Sequence, residues 1–73
     1  MANRDPRKLL GQRVRELRVA KGLSQEKLAE LAKLHRNYIG SIERGQKNVG
    51  VISIVKLAHA LSERPSGLLN TIP

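Results

Sequence analysis

The stretch that decides the fold runs Ser24-Gln25-Glu26-Lys27-Leu28-Ala29-Glu30-Leu31-Ala32-Lys33-Leu34-His35-Arg36-Asn37-Tyr38-Ile39-Gly40-Ser41-Ile42-Glu43-Arg44-Gly45. Ser24 is a good helix N-cap, because its hydroxyl can accept one of the amide protons that a helix start leaves unpaired. Lys27 stands three residues on, so there is no capping box. Leu28, Ala29, Leu31 and Ala32 supply a buried face at helical spacing. Lys33-Leu34-His35 interrupts the pattern. A second helical stretch follows, with Ile39 and Ile42 as i, i+3 anchors, and Gly45 suits a left-handed cap at its end. The segment therefore reads as two short helices joined by a tight turn.

The same reading extends outward. Leu10, Val14, Leu17 and Lys21 form an i, i+4, i+7, i+11 stripe, with the lysine stem closing it. Asp5 suits the cap of this helix, Pro6 its first position and Gly22 the residue past its end, which predicts a helix from Pro6 to Lys21. On the other side, Val51, Ile54, Val55, Leu57, Ala58 and Leu61 recur at helical spacing. The β-branched run Val51-Ile52-Ser53-Ile54-Val55 alone resembles a strand, but no second strand is available to pair with it. Pro65 suits the start of a short fifth helix carrying Leu68 and Leu69, which Gly67 weakens. The expectation is an all-α, five-helix, single domain over residues 1–73, with its core over about 7–69.

Composition narrows the function classes. The 73 residues carry 14 Lys+Arg against 6 Asp+Glu, a formal net charge of +8. A small domain this basic suits a polyanion, because each phosphate neutralised releases a counterion. Tyr38 is the sole aromatic residue, too few for the stacking platforms that hold single strands, so duplex DNA is favoured. The chain has no cysteine, which excludes a disulfide framework, Cys-ligated zinc and a thiol nucleophile. Met1-Ala2-Asn3-Arg4-Asp5 is polar and no signal-peptide core follows, and no apolar stretch is long enough to span a bilayer. A cytoplasmic location is expected. With 73 residues there is no room for an effector domain, so control is expected to come from the protein's own concentration or from a partner.

Two short helices with a three- to four-residue turn have the geometry of a helix-turn-helix. Leu23-Ser24-Gln25-Glu26-Lys27-Leu28-Ala29, followed by Tyr38-Ile39-Gly40-Ser41-Ile42-Glu43-Arg44-Gly45, resembles the core motif of the phage-repressor/Cro (XRE-type) helix-turn-helix family. The resemblance runs from about Arg7 to Leu69 and implies a five-helix, lambda-repressor-like domain. There are two departures. Lys33 stands where many members place glycine, at a cost of about 1 kcal/mol if it is left-handed. His35 replaces the usual Ser or Thr cap. The run from Leu34-His35-Arg36 to Gly45 is also similar to the controller proteins of restriction–modification systems.

The resemblance implies roles for individual residues. Gln25 touches a phosphate and braces the third helix. Arg36 and Asn37 stand where base edges are read, arginine suiting guanine and asparagine adenine. Ser41 is one turn on, Tyr38 reaches a phosphate or a thymine methyl, and Arg44, Lys47 and Asn48 grip the backbone. Arg18 and Glu43 form a structural ion pair between the first and third helices. Arg64, Pro65, Leu68 and Ile72 are the expected dimer contacts. Charge agrees with this map. Residues 1–22 hold seven basic and two acidic groups and residues 33–47 four and one, whereas residues 48–73 hold only two and one.

The leading expectation is a non-enzymatic, sequence-specific regulator of transcription. It would bind a symmetric duplex operator as a homodimer, with no cofactor, no metal, no membrane and no small-molecule effector. The rival is an antitoxin-type interaction module that also regulates its own operon; a dedicated toxin-binding tail would favour it, and only Asn70 to Pro73 lie beyond the fifth helix. Arg36 and Asn37 outside this motif would read as solvated helix residues, and Lys47 as a solvated loop charge. His35 and His59 read as a turn residue and a surface residue, since no ligand cluster or acid–base pair surrounds them.

Overall fold

The computed structural model describes residues 5–73, so the reading of Met1 to Arg4 lies outside the described residues. Among the described residues there are five helices: α1 (Pro6–Ala20), α2 (Gln25–Ala32), α3 (Arg36–Glu43), α4 (Val51–Ala60) and α5 (Pro65–Leu69). The β-branched run at the start of α4 is helical, as its continuing period requires.

Local chemistry sets the helix ends. The Asp5 carboxylate accepts the Arg7 amide at 3.0 Å, with Pro6 in the first turn of α1. The Arg7 guanidinium also bonds this carboxyl, and that bond is the main reason its pKa lies below the ordinary 3.8. Ser24 Oγ accepts the Lys27 amide at 2.9 Å and starts α2. Lys33 ends α2 in the left-handed region, φ 57°, ψ 46°, and the Leu34 amide reaches back to the Ala29 carbonyl at 2.9 Å. A lysine thus occupies the conformation that glycine adopts without strain. His35 starts α3 by accepting the Asn37 amide on Nδ1 at 3.0 Å.

The core is one cluster drawn from all five helices. Val14, Leu28, Ile39, Leu57, Leu61 and Leu68 have no exposed surface, and Leu10, Ala29, Ala32, Ile42 and Ala58 are buried beside them. Burying each large aliphatic side chain contributes about 1.5–3 kcal/mol. Two glycines let backbones meet. A Cβ on Gly11 of α1 would strike the Ile42 carbonyl oxygen of α3. Gly45, at φ +74°, ends α3 where a Cβ would lie 2.9 Å from Lys8 Cα, so both its conformation and its space exclude larger residues.

Three sequence expectations need correction. Leu31, expected on the buried face of α2, is 48% exposed. It lies about 100° around the helix from the centre of the Leu28–Ala29–Ala32 stripe, at about 100° per residue. Val51, expected on the core face of α4, is 75% exposed, because it is the first residue of the helix and sits at the edge of the Ile54–Leu57–Ala58–Leu61 stripe. Leu68, expected at a dimer contact, has its whole side chain inside the chain's own core and exposes no surface.

Candidate nucleic-acid interface

The exposed face of α3 follows from its buried one. Ile39 and Ile42 point into the core and Tyr38 packs half-buried against it. At about 100° per residue, Arg36, Asn37, Gly40, Ser41 and Arg44 then fall within about 140° on the outer side. These five residues line a cleft with Arg18, Ser24, Gln25 and Glu26 from α1 and the start of α2. The neighbouring hollow is lined by His35, Asn37, Tyr38, Ser41 and Lys47. Asn37 and Ser41 border both hollows and so form the ridge of α3. The structure thereby brings together Gln25, Arg36, Asn37, Tyr38, Ser41, Arg44 and Lys47 on one continuous surface. Asn48 lies on a different hollow, with Lys47, Val49, Ile54, Leu69 and Ile72.

A buried polar joint fixes α3 behind that surface. Arg18 of α1 meets Glu43 of α3 with both carboxylate oxygens engaged, at 2.6 Å from Nε and 3.0 Å from the second guanidinium nitrogen. The Glu43 side chain is only 3% exposed and that of Arg18 11%. Arg18 also donates to the Leu23 carbonyl at 2.8 Å, so the loop before α2 is held by the same group. The hydrogen bonds from Arg18 to Glu43 raise the arginine pKa further above its ordinary value, against the lowering effect of burial. Gln25 completes the joint by donating its amide to Glu43 at 3.1 Å. The start of α2 is thus bonded directly to the end of α3.

The arginines at the two ends of α3, Arg36 at its start and Arg44 at its C-cap, differ. Arg44 folds back over Gly40, donating to Gln46 at 3.2 Å and to Ser41 at 3.4 Å. A Cβ at Gly40 would come within 3.1 Å of the Arg44 guanidinium, so this glycine leaves room for it. Arg36 instead meets a carboxylate: its guanidinium lies 3.2 Å from Glu26 of α2. Sequence spacing gave no role to Glu26, because its partner is on another helix ten residues away. The available signal was its charge, an acid beside the most basic part of the motif.

Of the expected dimer residues, Arg64 and Pro65 are exposed and Ile72 is half-buried against the core. The exposed apolar side chains of α4 and α5 are Val51, Ile52 and Leu69, with Val51 and Ile52 each about three-quarters exposed. No helix among the described residues is long and apolar enough to cross a membrane.

Comparison with known proteins agrees with the geometry. A family model described as helix-turn-helix matches residues 14–68. Over 65 residues the chain is 49% identical to control protein C.BamHI of Bacillus amyloliquefaciens, spanning 88% of this chain and 80% of that one. It is 45% identical over 65 residues to control protein C.SmaI of Serratia marcescens, spanning 89% and 77%. Among solved structures, the restriction-modification controller protein C.AhdI from Aeromonas hydrophila matches with a TM-score of 0.83 at 56% identity, covering 85% of this chain and 94% of that one.

Proposed function

The chain belongs to the helix-turn-helix family of DNA-binding transcription regulators, and on that premise we propose that it controls a restriction–modification system by binding a two-fold symmetric operator as a homodimer. The observation that carries this reading is the outer face of α3. Arg36, Asn37 and Ser41 stand there in a row, held outward by Ile39 and Ile42 and braced from behind by the Arg18–Glu43 joint. An α-helix presented in this way fits the major groove, where Arg36 pairs with guanine N7 and O6 and Asn37 with adenine N6 and N7. Arg44, Lys47, Gln25 and Tyr38 flank that row and serve the phosphates, and Asn48 extends their grip from the adjoining hollow that Lys47 also borders, with a counterion released for each charge neutralised.

The dimer forms through the α4–α5 end, using exposed Val51, Ile52 and Leu69 together with Arg64, Pro65 and Ile72. It places two copies of α3 about one helical turn apart, roughly 34 Å. The protein acts in the cytoplasm, where its DNA lies. Selection of duplexes from a random-sequence library by the purified protein, read with the mass of the protein in solution, tests the reading. A symmetric enriched site and a mass of two chains are expected. No enriched sequence would overturn it.

A further inference from the structure

Glu26 has an exposed carboxylate on the wall of the cleft that faces DNA, in a chain of net charge +8. Its position works against affinity, since every phosphate that enters the cleft meets it. Its partner is specific: the Arg36 guanidinium, the first group of α3 and the one suited to a guanine edge. We propose that Glu26 is a specificity-determining residue that masks the charge of Arg36 from phosphates and releases it to a correct base. This rests on the reading of α3 as the helix in the major groove.

The argument is one of difference. The pair is open to solvent, with side chains 58% and 72% exposed, so it breaks easily and does not block binding. What it changes is the competition for Arg36. A phosphate offers the guanidinium the same kind of acceptor that Glu26 already supplies, so on an incorrect sequence there is little gain in leaving the carboxylate. A guanine edge offers two acceptors in one plane, matched to the guanidinium fork, and displaces the carboxylate. Without Glu26, Arg36 becomes a free cation that any duplex can use.

The contrast with Arg44 supports this. Arg44 lines the same cleft and donates to uncharged Gln46 and Ser41. The arginine that caps α3 thus keeps its charge for the backbone, while the one that starts it is held by an acid of α2. The other acids of α2 and α3 are differently engaged: Glu43 is enclosed against Arg18, and Glu30, outside the cleft, pairs with Lys27 within α2.

The test uses the full chain and two probes: the duplex that the wild-type protein selects from a random library, and a scrambled duplex of equal length. Binding to each is followed by fluorescence anisotropy over a range of salt. Glu26→Gln is expected to tighten binding to the scrambled duplex roughly threefold or more, and to steepen its salt dependence by about one ion released. Affinity for the selected duplex should change less, so the ratio between the two falls. Glu30→Gln adds the same charge away from Arg36 and should leave the ratio unchanged. In an Arg36→Ala background, Glu26→Gln should no longer steepen the salt dependence. An unchanged ratio in Glu26→Gln would overturn the proposal, as would an equal fall in Glu30→Gln. A full effect in the Arg36→Ala background would overturn it too, because the carboxylate would then act by direct repulsion alone. A wild-type protein that selects no sequence refutes the functional reading itself, whereas wild-type selection fully retained by Glu26→Gln refutes only this inference.

Discussion

The α2–α3 unit and the α4–α5 end are built by different means. In the first, directional bonds add to the apolar core of Leu28, Ala29, Ala32, Ile39 and Ile42: Ser24 and His35 cap the two helices, Lys33 makes the turn, and Arg18, Gln25 and Glu43 lock them to α1. In the second, neither helix has a side-chain cap, since Gly50 and Arg64 stand at the two starts. Its hold comes from Leu57, Ala58, Leu61 and Leu68 in the core and from Arg13 of α1, which donates to the Gly67 carbonyl at 2.9 Å. Apolar contacts fix distance but tolerate rotation, whereas hydrogen bonds fix direction. The surface proposed to read base edges needs direction. An end proposed to meet a second copy needs mainly matching apolar area, and Val51 and Ile52 are exposed there.

The comparison can be broken most directly at its polar joint. Glu43→Ala leaves the largely enclosed Arg18 without its carboxylate and should destabilise the fold by up to about 3–5 kcal/mol, read from thermal or denaturant unfolding. A loss below about 1 kcal/mol would show that the joint is not what orients α3. At the apolar end, Leu68→Ala should cost about 2–5 kcal/mol through the cavity it leaves. Dimer mass measured at a temperature where the variant stays folded should persist, since this side chain faces inward; dissociation in the folded variant would return Leu68 to the interface.

Smaller effects refine the picture. Arg36→Ala should weaken binding to the selected duplex by about 1–3 kcal/mol and relax preference at one base position, measured by repeating the selection. Equal loss on every sequence would make Arg36 a phosphate contact. Lys33→Gly should stabilise the protein by about 1 kcal/mol, because the turn then carries no side chain in the left-handed region. Destabilisation would mean that the lysine stem packs usefully. The smallest effect concerns Asp5. Its folded pKa is lowered by Arg7, so its contribution is present above the ordinary carboxylate range and is lost as pH falls through the lowered value. Asp5→Asn should remove that part of the acid dependence of unfolding, and an unchanged profile would show that the cap acts without its charge.

The sequence was most legible where one residue carries its own reason. Ser24, Asp5, Pro6, Gly22 and Gly45 mark ends by local chemistry, and each stands at or beside a helix end in the structure. It was less legible where the reason lies on another element. Periodicity tells which positions are apolar, but not that Val51 and Leu31 lie beyond the reach of neighbouring helices. Ser62, at φ 54°, closes α4 in a conformation that nothing in its residue type announces. The row Arg36, Asn37 and Ser41 could be read from spacing alone, because one helix face contains it. The pairing of Arg36 with Glu26 could not, because it depends on the angle between two helices.

The close approach at Gly11 has a mechanical consequence. With α1 seated against the Ile42 carbonyl, the C-terminal end of α3 is a fixed pivot. The helix has eight residues, so at about 1.5 Å per residue its lever arm is about 12 Å. A tilt of about 10° at the pivot would carry Arg36 roughly 2 Å sideways, well outside the narrow range of a hydrogen bond. Aim at the far end of α3 is therefore set by a missing methyl group at the near end, on a different helix.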